Sequence, residues 1–275
     1  MSPGRGNRTA DCRRGDASLT REIMSLEDVS VTYRTGPFWN RRIVPAVKDV
    51  SLTIAEGEIL GLVGESGSGK TTIGRLCLGL VEPDQGSILL RRHPLRGRRG
   101  MQGQIATVLQ HPEWALNPRL TVGASVTEPL AIQGVPAATR NERAAQALIQ
   151  VGLDPGLLRR YPHELSGGQR QRISIARALI TNPEFVVFDE AVSALDVSVQ
   201  AQVLNLIKAL QAERGFCALF ISHDLAATRY VADRIAVMQD GRFVEVGPAT
   251  RFYDAPQTEY GRKLWSTAPK LNEGE

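Results

Sequence analysis

Two stretches of this 275-residue chain combine residue types and spacings that could do chemistry on a phosphorylated ligand. The first is Gly64-Glu65-Ser66-Gly67-Ser68-Gly69-Lys70-Thr71, with Thr72 after it. Glycines at that spacing let backbone N–H groups turn inward around phosphate oxygens, and a helix opening at its end adds partial positive charge. Lys70 has the reach to meet β- and γ-phosphates, and the Thr71 hydroxyl sits where it can ligate Mg²⁺. The second stretch is Phe185-Val186-Val187-Phe188-Asp189-Glu190, an apolar run ending in two carboxylates. Asp189 suits a Mg²⁺ shell, and Glu190 suits orienting and deprotonating an attacking water. Read alone, the first could be a Gly-rich turn without a ligand and the second an acidic pair that opens a helix.

Positioning those groups requires a strand before each of them. Residues 26–33 and 47–54 alternate as strands, 59–63 is a short apolar run, and Ile73, Leu76 and Leu80 recur at helical spacing. Further on, 185–188 and 218–221 read as buried strands, and Val199, Val203, Leu206, Ile207 and Leu210 mark one helical face. The expected fold class is α/β, a phosphate-loop core whose mostly parallel sheet places both carboxylates at its carboxyl edge beside that loop, with an antiparallel β subdomain. Helical composition broken by Gly134-Val135-Pro136 and Asp154-Pro155-Gly156 predicts a helical subdomain over about 112–172. Residues 1–23 read as a flexible extension, 24–250 as the main domain and 251–275 as a carboxy-terminal tail.

Composition narrows the class. Hydrophobic residues make up 42%, enough for a sizeable core, and no apolar run is long enough to cross a membrane. Three cysteines, Cys12, Cys77 and Cys217, are widely spaced, which argues against a disulfide framework or a zinc site. The net charge of +4 is carried by local clusters, Arg5 to Arg21 and Arg91 to Arg99, without interleaved aromatics, so no nucleic-acid partner is expected.

A third stretch changes the argument. Leu165-Ser166-Gly167-Gly168-Gln169-Arg170-Gln171-Arg172 is a loop-to-helix string that few segments share. On it, the chain resembles the ABC-transporter ATPase family, whose signature it matches, over about residues 26–250. Supporting residues follow in the family's order. Tyr33 matches the aromatic that stacks on adenine, Gln110 the glutamine that senses Mg²⁺ and water, Ser193-Ala194-Leu195-Asp196 the D-loop, and His223 the switch histidine. Taken singly, Tyr33 could be a strand-end aromatic, Gln110 a loop amide, Asp196 a helix cap and His223 a core-edge residue.

The resemblance implies ATP and Mg²⁺ as ligands, with Thr71, Gln110 and Asp189 around the metal and Glu190, His223 and Gln110 in hydrolysis. It also implies that Ser166, Gly167, Gly168, Gln169 and Asp196 face the ATP of a second ATPase subunit, identical or paralogous, in a head-to-tail sandwich. The stretch from Gln110 to Val122 looks like that of peptide, dipeptide and nickel importer ATPases. The expected assembly is then two permeases, with a solute-binding protein acting indirectly, and the chain peripheral on the cytoplasmic face of the plasma membrane. A soluble, non-transport ABC ATPase is the alternative. Ala191 replaces the family's usual proline, and no cysteine follows Cys217, so no iron–sulfur cluster is expected. Trp114, Ala115 and Leu116, in an aperiodic Pro-flanked segment, are expected to be exposed and to dock a permease helix.

Overall fold

The computed structural model describes residues 21–36, 42–95, 97, 103–111 and 115–266. Strands β1 (Glu22–Thr35) and β2 (Arg42–Ala55) pair antiparallel, and β4 (Gln85–Leu90) and β5 (His93–Pro94) extend them into a four-stranded sheet ordered β2-β1-β4-β5. In β2, Val50, Leu52 and Ile54 are buried and alternate with Ser51 and Thr53 outside, the period of a half-buried antiparallel strand.

The second sheet contains β3 (Ile59–Val63), β6 (Ile105–Leu109), β7 (Phe185–Asp189), β8 (Cys217–Ile221), β9 (Arg234–Gln239) and β10 (Arg242–Pro248), ordered β10-β9-β3-β8-β7-β6. All neighbours run parallel except the β9–β10 hairpin. Its central strands β3 and β8 are buried on both faces, which is why they read as unbroken apolar runs. Alternate residues sort between two cores. Leu60, Leu62, Phe185, Val187, Leu219 and Ile221 face the antiparallel sheet and helix α1 (Lys70–Cys77), whereas Val63, Val186, Phe188, Ala218 and Phe220 face the remaining helices.

The helical segment comprises α2 (Val122–Ile132), α3 (Ala137–Gln150), two short 3₁₀ turns and α4 (Gly167–Leu179). Gly134 (φ +76°) and Pro136 separate α2 from α3. Its apolar residues, such as Val126, Leu130, Leu148 and Ile173, join the main core without a break. Helices α5 (Val197–Arg214), α6 (Leu225–Val231), α7 (Ala249–Asp254) and α8 (Glu259–Ser266) complete the described chain.

Two expectations meet corrections here. The helix after the phosphate loop stops at Cys77, before Leu80: Gly79 turns left-handed (φ +61°) and Leu80 is 44% exposed. The domain also continues past 250, because Phe252 is buried and Tyr260, Leu264 and Trp265 pack on the main core. Cys77 and Cys217 are free and buried, and burial pushes the Cys77 thiol up to about 12. Among the described residues no helix is long and apolar enough to cross a membrane.

Candidate functional site

Strand register alone gathers the candidate groups. Leu109 pairs with Asp189, Asp189 with Ile221, and Leu62 with Ile221. The residues that follow therefore leave one edge of the parallel sheet side by side: Gln110 after β6, Glu190 after β7, Ser222 and His223 after β8, and Gly64 after β3. This is the carboxyl edge, where parallel sheets bind ligands.

The phosphate loop is braced by residues far away in sequence. Gly64 has φ +152°, and a Cβ there would stand 2.2 Å from the Met238 carbonyl oxygen. Gly69, at φ +113°, would place a Cβ 2.4 Å from the Ala46 carbonyl oxygen. Both positions need glycine for conformation and space. The Gly241 N–H donates to the Ser68 carbonyl at 3.0 Å, tying the β9–β10 turn to the loop. By contrast a Cβ at Gly67 meets nothing within 4 Å, so the mouth of the loop is open. Glu65, Ser66 and Thr71 are exposed at that mouth, and Ser68 and Thr72 are buried.

Lys70 is buried, and its ammonium donates to the Gly64 carbonyl at 2.7 Å and the Glu65 carbonyl at 2.8 Å. Burial lowers its pKa, with the charges of Glu190 and Asp189 working against that shift. The Ser68 hydroxyl is buried with no partner. An orphaned hydroxyl, a lysine satisfied only by its own loop, and an open glycine are the donor set an anion would complete.

Burial and the neighbouring Glu190 charge raise the Asp189 carboxyl above its usual range, against the pull of Arg75 and Lys70. A cation would relieve that penalty. Asp189, Gln110 and Thr71 supply hard oxygen donors, as Mg²⁺ requires, but too few to cage it. Among the described residues no cluster of three or more His, Cys, Asp and Glu side chains forms a metal site.

Glu190 is held in a left-handed conformation (φ +50°) that non-glycine residues rarely adopt. Its N–H donates to the Ile221 carbonyl, and its carbonyl accepts from the Ser193 N–H and hydroxyl, at 2.9, 3.2 and 2.9 Å. His223 Nδ1 lies 3.4 Å from its Oε2, with the imidazole mostly exposed. The sheet edge thus sets a carboxylate against an imidazole, an arrangement suited to activating water, with Gln110 leaving the adjacent strand.

Other candidates lie elsewhere. Ser166 is exposed and caps α4, where its hydroxyl accepts from Gln169 N–H at 3.2 Å while Gln169 Oε1 accepts from Ser166 N–H at 3.0 Å. This reciprocal capping box engages both side chains with each other. Gly167 is open, and Gly168 packs so closely that a Cβ would stand 2.8 Å from Val199 of α5. Asp196 is exposed at the N-cap of α5. Tyr33 pairs with Val44 in the antiparallel sheet, half-buried, its hydroxyl buried without a partner.

A family profile described as ABC transporter matches residues 47–193. A protein of Brucella ovis, provisionally named as a peptide import ATP-binding protein, is 51% identical over 257 residues, spanning 90% of this chain and 78% of that protein. One from Brucella abortus (strain 2308) with the same kind of name is 45% identical over 269 residues, 94% of this chain and 79% of that one. The chain belongs to the ABC transporter ATPase family. Its fold matches the ATP-binding cassette MJ0796, in a dimeric post-hydrolysis state with ADP and Pi, at TM-score 0.73 and 30% identity over 82% of this chain and 99% of that one. It also matches cbiO1 of Clostridium perfringens, part of an ABC transporter complex, at TM-score 0.76 and 25% identity over 86% and 92% of the two chains.

In this ABC ATPase the expected docking patch is corrected in part. Leu116 is 1% exposed and belongs to the main core, so it serves packing and does not line a docking surface. Ala115 is half-buried, and Trp114 lies outside the described residues. Several supporting residues escaped the sequence. Asp224, beside His223, caps α6 by accepting from Ala227 N–H and also accepts from Gln200 Nε2 of α5 at 2.7 Å, joining α5 to the segment that carries His223. Met238, Gly241 and Tyr260 buttress the phosphate loop. None lies in a motif, and no local signal could have found them.

Proposed function

We propose that this ABC ATPase powers a peptide importer, binding Mg·ATP at the sheet edge and hydrolysing it with Glu190 as the group that activates water. Gly64 through Thr72 hold the phosphates, Tyr33 meets the base, and Thr71, Gln110 and Asp189 hold Mg²⁺, which when bound offsets phosphate charge. His223 steadies the reacting groups opposite Glu190. The observation that carries this reading is the register of β3, β6, β7 and β8, because it delivers the phosphate loop, the carboxylates, the amide and the imidazole to one edge.

Residues 166–169 and Asp196 face the ATP of a second ATPase subunit, and permeases with a solute-binding protein complete the system at the cytoplasmic face of the membrane. Peptide as the cargo is supported by the names of the Brucella relatives and by the similarity of the stretch after Gln110 to peptide-type importers. A mild-detergent pull-down of the tagged chain tests it. Permeases together with a peptide-binding protein are expected; recovery of soluble partners alone would overturn the transport reading.

A further inference from the structure

The carboxy-terminal helix reaches back to the phosphate loop. The Tyr260 hydroxyl of α8 accepts a hydrogen bond from the Glu65 N–H at 3.0 Å, across 195 positions of sequence. Glu65 is the hinge of the loop's first turn. Its carbonyl accepts from Lys70 Nζ at 2.8 Å and from Ser68 N–H at 3.2 Å, so Tyr260 holds the far side of the same peptide-bearing residue. Lys70 and Ser68 belong to the loop itself, so the Tyr260 bond is what ties Glu65 to another part of the fold.

Helix α8 is itself anchored. The buried Glu245 carboxylate of β10 accepts from Gln257 N–H at 2.8 Å, Thr258 N–H at 3.1 Å and the Thr258 hydroxyl at 2.9 Å. The Thr258 hydroxyl in turn accepts from Gly261 N–H at 3.0 Å and caps the helix. A Cβ at Gly261 would stand 2.7 Å from Glu245 Oε2, so the helix backbone packs directly on the Glu245 carboxylate. Tyr260, Leu264 and Trp265 fix its other side on the main core.

We propose that Tyr260 is a positioning residue for nucleotide binding: through Glu65 N–H it keeps the loop's first turn in its phosphate-receiving form, and Glu245 sets its reach. This rests on the phosphate-loop reading above. An acceptor placed before ligand arrives spares the loop the ordering cost of binding.

The test combines hydrogen exchange at the Glu65 amide with ATP and ADP titrations, in the presence of Mg²⁺, of the full wild-type chain, Tyr260→Phe and Lys70→Ala. Phenylalanine keeps the ring packing and removes only the acceptor. Faster exchange over 64–66 is expected, with ATP and ADP weakened by the same factor of about three- to tenfold, the size of one hydrogen bond, and kcat at saturating ATP changed far less than KM. Unchanged exchange or unchanged affinity would overturn the proposal. If Lys70→Ala loses nucleotide binding while Tyr260→Phe has no effect, only the brace fails; if Lys70→Ala binds nucleotide normally, the phosphate-loop reading fails with it. Should Tyr260→Phe not fold, Glu245→Gln reads the same two quantities with the tyrosine intact, and wild-type values there reject the proposal.

Discussion

The phosphate loop and the signature loop are both glycine-rich turns that open a helix, yet they are held in opposite ways. The phosphate loop is fixed by contacts from Ala46, Met238, Gly241 and Tyr260, distant in sequence, and its working lysine is buried. Residues 166–167 are exposed, and the signature is shaped mainly by its own capping box. The first is built and braced within the subunit. The second is a local shape offered outward, which the proposed sandwich would place against the other subunit's ATP.

The sharpest test of that division is Glu190→Gln. It should keep ATP affinity and lose about 10²–10⁴-fold in hydrolysis, measured by separate binding and turnover assays; wild-type turnover would remove chemistry from the sheet edge. Next, in the Glu190→Gln background, Ser166→Arg should abolish ATP-induced association, read as mass by light scattering with the partner subunit present. A dimer that persists would mean the signature does not face the other subunit's nucleotide.

Stability separates the two loops further. Gly69→Ala combines φ +113° with a 2.4 Å clash against backbone, so it should cost about 2–4 kcal/mol in denaturant unfolding. Gly167→Ala has nothing within 4 Å and should stay within about 0.5 kcal/mol. Equal costs would erase the contrast.

The smallest effect concerns Glu245. Burial opposes its charge, but the N–H groups of Gln257 and Thr258 and the Thr258 hydroxyl outweigh burial and hold its pKa below the ordinary value of 4.5. A carboxyl lowered on folding stabilises above its unfolded pKa, and that contribution disappears as pH falls through the folded value. Glu245→Gln should therefore cost about 1 kcal/mol near pH 7, and the gap from wild type should close as unfolding is repeated below pH 4.5.

What could be read from the residues follows the same line. Strands β3, β7 and β8 were legible because burial on both faces leaves unbroken apolar runs, whereas β6 and β9 of the same parallel sheet went unread. The phosphate loop was legible because the chemistry of holding phosphate fixes the spacing of its glycines and Lys70. Ser166 and Gln169 stood out as part of the signature string, and only the structure shows that they cap each other. Leu116 misled because a plug into a core needs no period, and a Pro-flanked segment can still turn one side chain inward. Tyr260 and Met238 were invisible because nothing near them in sequence records what they touch.

If Glu190 activates water as proposed, its left-handed backbone sets folding and reactivity against each other at a single residue. Glycine would sit there without strain, so a chain optimised only for thermal resistance drifts toward losing its carboxylate. Thermostabilisation campaigns on this ATPase must therefore screen for turnover, because melting temperature alone would reward an inert enzyme.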